Sequence, residues 1–130
     1  MLLDTSFLVD LLDRDPAALA RARSLERDGI ATRIPTPALF ELWRGVHLAA
    51  RTSEEADRVV GLLAAYASAP LDGPAAAAAG EIDARLIKAG TPIDPEDSMI
   101  AGIALAMGDA LLTRNVRHFS RIPGIRVEEY

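Results

Sequence analysis

At 130 residues, half of them apolar, the chain has the size and composition of one compact domain whose core needs no metal or disulfide staples. With no cysteine and only two histidines, it excludes a disulfide framework, thiolate zinc, iron–sulfur ligation, a cysteine nucleophile and a histidine-rich metal cage. The formal net charge of −5 argues against a broad basic face for gripping nucleic acid, so contact with a polyanion has to be local or bridged by a cation.

Taken in chain order, Leu2-Leu3 is a short apolar run that predicts a buried strand ending at Asp4. Phe7, Leu8, Leu11 and Leu12 then form a helical stripe, with Asp10 and Asp13 expected opposite it. Asp15-Pro16 reads as an N-cap with proline in the first turn, opening a helix that Gly29 stops. Ile30 to Ile34 is expected to be a strand closed by Pro35. Thr36-Pro37 opens a helix whose Leu39, Leu42, Trp43 and Val46 share one apolar face. Thr52 or Ser53 is expected to cap another helix running to about Tyr66, followed by a strand over Ala69 to Leu71.

An alanine-rich helix is expected from Ala75 to Lys88, ending at Ala89-Gly90. Asp94-Pro95 starts the next helix, with Ile100, Ile103, Ala104 and Met107 as its core stripe and Gly108 as its stop. Ala110 to Thr113 reads as a strand, Arg114 to Gly124 as a loop, and Ile125 to Val127 as a last strand. Helices alternate with short, uniformly apolar strands, which implies an α/β fold with a central parallel β-sheet flanked by helices. The start, MLLDTSFLVD, lacks the basic residues and cleavage site of a signal peptide. The longest apolar run, Met99 to Met107, is far short of a membrane span. A cytoplasmic location with no membrane partner is expected.

In open α/β sheets ligands sit beyond the carboxyl ends of the strands. Asp4 lies there, although an acid before an apolar helix also suits a helix N-cap. Glu41 lies roughly opposite the apolar face of its helix, with small neighbours at Ala38 and Gly45, and by itself reads better as a solvated acid. Glu96 and Asp97 border the two edges of the stripe in the helix that follows Asp94, and periodicity does not choose between them; either also suits the helix dipole. Asp4, Glu41 and the Glu96-Asp97 pair come from well-separated segments. Gathered together they would repel one another, and a hard divalent cation, Mg²⁺ or Mn²⁺, would relieve that cost. Such a site bridges an acidic protein to a phosphodiester.

Three segments, LLDTSFLVDLL, TPALFELWRG and PEDSMIAGIALAMGDALLTRNVRHF, in this order and spacing, resemble the PIN-domain ribonucleases, and among them the VapC-like toxins of VapBC toxin–antitoxin pairs. The resemblance runs over nearly the whole chain and implies a single PIN-like domain over residues 1–130. It aligns Asp4, Glu41 and Asp97 with three acidic, metal-holding catalytic positions, and selects Asp97 over Glu96 because an Ile-Ala pair follows at the family's offset. The fourth position, often Asp, is Asn115 here, which implies a weaker, less charged metal ligand. The resemblance further implies endoribonuclease activity with Mg²⁺ or Mn²⁺, an RNA substrate, a cognate antitoxin protein and a homodimer. Asn115 also supports an alternative, a catalytically weak PIN-like domain that binds RNA or protein without cutting. A phosphohydrolase with Asp4 as nucleophile is disfavoured, because its Asp-x-Asp signature would need an acid where Ser6 stands.

Ser6 is a candidate partner of Asp4 or of a metal-bound water, with helix capping as its ordinary role. Thr113 either faces the site or is simply a strand residue. Arg114, Arg117, His118 and Arg121 form a local basic loop suited to RNA or antitoxin contact, or to plain solvation. His47 reads as surface or packing, and Trp43 and Tyr66 as packing residues rather than a stacking platform.

Overall fold

Five short parallel strands form the centre of a computed structural model that describes residues 1–130. The elements are β1 (Leu2–Leu3), α1 (Thr5–Leu12), α2 (Pro16–Arg27), β2 (Arg33–Pro35), α3 (Thr36–Leu48), α4 (Thr52–Leu63) and β3 (Ala67–Ala69). They continue with α5 (Gly73–Lys88), α6 (Pro95–Met107), β4 (Ala110–Leu112), α7 (Val116–Phe119) and β5 (Arg126–Glu128). The strand order is β3-β2-β1-β4-β5. From β1 the chain winds outward through β2 and β3, then returns to place β4 on the other side of β1. The strand order therefore reverses between β1 and β4, and in a parallel sheet that is where a crevice opens at the carboxyl ends.

Leu2, Leu3, Leu111 and Leu112 are wholly buried, as the apolar runs predicted. Burying each such side chain contributes about 1.5–3 kcal/mol, which is why strands this short hold a register. Leu2 pairs with Leu111 and Leu3 with Leu112. The ladder continues one step further, because the Asp4 amide donates to the Leu112 carbonyl at 3.0 Å. The two chain segments leave the sheet side by side at Asp4 and Thr113.

Helix α6 is held by an unusually close approach to α5. A methyl group built on Gly102 would lie 2.5 Å from the Ala75 carbonyl oxygen and 2.7 Å from the Ala79 methyl. Alanines on α5 facing a glycine on α6 let the two backbones nearly touch, and this fixes the helix that carries Asp97. Gly108 ends α6 in the left-handed region, at φ +64°, as its position predicted.

Several local expectations are corrected. Asp10 is buried rather than opposite the apolar stripe, because the C-terminal segment folds over α1. The second strand begins at Arg33, Ile30 being exposed, and the third spans Ala67–Ala69. Met107 is 39% exposed, and Ala101 and Gly102 take its place in the core face of α6. The expected loop after β4 contains α7. Asp15 caps α2 by accepting from the Ala18 amide at 2.9 Å. By contrast, Asp94 makes no side-chain cap bond on α6. The cap position of α4 is Arg51, and Thr36 accepts from the Leu71 amide at 3.0 Å instead of capping α3. Trp43 and Tyr66 pack against the core, and His47 is exposed.

Candidate active site

Asp4 is nearly fully buried yet makes no cap bond to α1. Its carboxylate instead receives two hydroxyls on the same oxygen. Thr113 donates to Oδ2 at 2.6 Å and Ser6 donates to it at 2.8 Å. The direction of both bonds is fixed by the backbone. The Asn115 amide donates to the Thr113 hydroxyl at 2.9 Å, and the Arg114 amide donates to the Ser6 hydroxyl at 3.1 Å. Each hydroxyl thus accepts from an amide and has its single proton free for Asp4. The two donors together fix the orientation of the Asp4 carboxyl group. None of these bonds uses Oδ1, which is left for an incoming ligand.

Glu41 is half-buried on α3, which turns it toward α1 and α6 rather than into solvent. Thr5 donates to its Oε1 at 2.9 Å. Burial pushes the Glu41 carboxyl above its ordinary value, the Thr5 hydroxyl opposes this, and the charges of Asp97 and Asp4 push it further. Asp97 stands in the first turn of α6 with its side chain 13% exposed. Burial, and next the Asp4 charge, raise it to about 6, against the opposing hydrogen bond of His118. His118 Nδ1 lies 3.3 Å from Asp97 Oδ2 and 2.7 Å from Asn115 Nδ2, so α7 ties the fourth expected position to the third. Glu96 faces away to pair with Arg44, at 3.4 Å.

Asp4, Ser6, Glu41, Asp97, Arg114, Asn115 and His118 all line one open cleft of about 490 Å³ at the carboxyl ends of β1 and β4. Arg117 and Arg121, expected beside them, are exposed and do not line it. Thr5 and Asp94 do, and were not singled out in the sequence. Thr5 had a signal of sorts, a second polar residue directly after the strand. Asp94 was concealed by its fitness as an N-cap.

The sequence matches the PIN domain family over residues 1–125. The chain belongs to the PIN-domain family. It is 32% identical over 129 residues to the tRNA(fMet)-specific endonuclease VapC of Salmonella typhimurium, covering 99% of this chain and 96% of that protein. The tRNA(fMet)-specific endonuclease VapC of Shigella flexneri is 29% identical over the same length. Among solved structures, a DNA-bound VapBC from Salmonella typhimurium superposes with a TM-score of 0.87 at 32% identity, over 98% of this chain and 96% of that one. VapBC2 from Rickettsia felis, bound to a DNA fragment, shares the fold at a TM-score of 0.91 and 23% identity, over 99% and 97% of the two chains. The relatives place this PIN domain among the VapC endonucleases, and no helix of it is long and apolar enough to cross a membrane.

The donors of the cleft suit a hard divalent cation. Oxygens of Asp4, Glu41, Asp94, Asp97 and the Asn115 amide dominate them, with the His118 imidazole as the nitrogen, and the mutual push among Glu41, Asp97 and Asp4 is the cost that a cation removes. They do not converge as a ready-made cage of three side chains. Each carboxylate leans instead on its own neighbour: Asp4 on Thr113 and Ser6, Glu41 on Thr5, Asp97 on His118.

Proposed function

We propose that this VapC-family PIN domain cleaves RNA as the toxin of a toxin–antitoxin pair, with Asp4, Glu41 and Asp97 holding Mg²⁺ or Mn²⁺ and Asn115 as a weaker neutral ligand. The observation that carries this is the cleft at the β1–β4 reversal, which gathers Asp4 after β1, Glu41 from α3 and Asp97 from α6, with Asp94 at the start of α6 beside them. When bound, the cation supplies a polarised water for in-line attack on phosphorus and stabilises charge on the leaving oxygen.

The protein supplies the rest. Thr113 and Ser6 fix the rotamer of Asp4 and leave its second oxygen without a hydrogen bond. Thr5 does the same for Glu41. Asp97, held against His118, presents its carboxylate from the first turn of α6. Arg114 brings positive charge to a cleft that would otherwise repel a phosphodiester.

The named activity of the relatives, at 32% and 29% identity over nearly the full chain, supports a structured RNA such as a tRNA as the substrate. The VapBC assemblies among the structural neighbours support a cognate antitoxin, and an acidic cleft on an acidic protein suits a guanidinium from that partner. A homodimer in the cytoplasm completes the reading. The test is cleavage of RNA with Mg²⁺, with Mn²⁺ and with EDTA, by the wild type and by Asp4→Asn. Cleavage lost in EDTA and in the variant supports the reading. Binding of RNA without cleavage under any metal condition would leave only the non-cutting module.

A further inference from the structure

The mechanism uses neither Asp10 nor Tyr130, yet the two are joined to the cleft. Asp10 is 6% exposed on α1, on the side turned toward the C-terminal segment. The Tyr130 hydroxyl donates to its Oδ2, and the Arg114 guanidinium pairs with its Oδ1 through Nη2. The Tyr130 ring stands edge-on to Phe7, centroids 4.9 Å apart, which fixes the hydroxyl that meets Asp10. The backbone of Arg114 is pinned as well, its amide donating to Ser6.

Arg114 is the only Arg or Lys that lines the cleft, and its side chain is 61% exposed. One edge of its guanidinium is held by a buried carboxylate while the rest of its donor fork faces solvent at the cleft. A fork held at one edge loses little freedom when it captures a phosphate with the other.

We propose that Arg114 binds a backbone phosphate next to the scissile one, and that Asp10 and Tyr130 are positioning residues that hold its guanidinium on the cleft rim. This rests on the RNA-cleaving function proposed above and names a substrate contact within it. An unpaired buried Asp10 would be costly, so the same bond also serves stability. The positioning role therefore needs a readout that a structural role would not move.

That readout is the salt dependence of RNA affinity in an Asp97→Asn background, followed with a fluorescein-labelled single-stranded oligoribonucleotide. If Asp97→Asn still cuts, it is the site assignment that fails, whatever Arg114 does. In that background Arg114→Ala should weaken binding about tenfold at 0.1 M salt and lower the slope of log affinity against log salt by about 0.7. Arg114→Lys should keep the slope and recover only part of the affinity. Asp10→Asn and Tyr130→Phe should weaken binding severalfold with the slope intact, and neither should weaken it further once Arg114 is Ala. Tyr130→Phe removes one hydroxyl and leaves the ion pair, so it reports even where Asp10→Asn folds poorly. Unchanged affinity and slope in Arg114→Ala overturns the proposal. Affinity unchanged or raised in Tyr130→Phe and Asp10→Asn overturns the positioning role, because Asp10 then competes with phosphate.

Discussion

Thr113 donates its hydroxyl to Asp4 Oδ2 at 2.6 Å, and these are the residues that directly follow β4 and β1. The bond spans the point where strand order reverses, so the same pairing that closes the sheet orients the Asp4 carboxylate. Thr113→Val should keep the strand's shape and remove the donor. Supporting bonds to metal-holding groups are typically worth 10–100-fold, so RNA cleavage should fall by about that factor. Stability should fall by only about 1 kcal/mol. Thr113→Ser should restore most of the rate. Cleavage assays on both variants, with thermal melts, check this.

Asp97 sets a pH dependence whose sign is fixed. Its folded value of about 6 lies above its ordinary 3.8, so between these the native state holds more protons than the unfolded chain. Metal-free stability should therefore fall as pH rises from about 4 to 6, then level off. Raised Glu41 adds in the same direction. Asp97→Asn should flatten the profile in EDTA and stabilise the protein at pH 7 by on the order of 2 kcal/mol, while abolishing cleavage. Urea titrations at pH 4.5 and 7 decide this; a variant less stable than wild type at pH 7 would count against the repulsion.

Asn115 lies at the cleft beside His118 and supplies no charge. Asn115→Asp should tighten Mn²⁺ binding to the RNA-free protein, because it adds an anionic donor next to Asp97 and Asp4. Turnover should rise less than affinity, since the added charge also repels the phosphate. Calorimetric titration of wild type and variant gives the answer. Equal affinities would place Asn115 outside the metal's reach.

Gly102→Ala should act at a distance. A methyl at 2.5 Å from a backbone oxygen cannot be relieved by a side-chain rotation, so α6 must move away from α5. A destabilisation of about 1–3 kcal/mol is expected, with a lower cleavage rate because α6 carries Asp97. Melting temperature and rate falling together confirm the link; a shift in neither would show that the helices have room to separate.

The sequence by itself determined the class of fold and most of its strands and helices, and it pointed to Asp4, Glu41 and Asp97, which the fold brings to one cleft. It could do so because strand burial, helix stops at Gly108 and proline at helix starts are local in origin. The alignment of motifs in LLDTSFLVDLL and PEDSMIAGIALAMGDALLTRNVRHF also chose Asp97 over Glu96, where periodicity did not, and the structure turns Glu96 toward Arg44. The tertiary structure alone decided how the acids are held. Glu41 looked solvated because a helix face is judged against its own stripe, and only the packing of α3 beside α1 and α6 buries it. Asp10 looked like surface for the same reason, until Tyr130, far along the chain, returned to cover it. Hydrogen bonds such as Thr113 to Asp4 join residues that become neighbours only when β4 inserts beside β1, and no local pattern encodes that crossing.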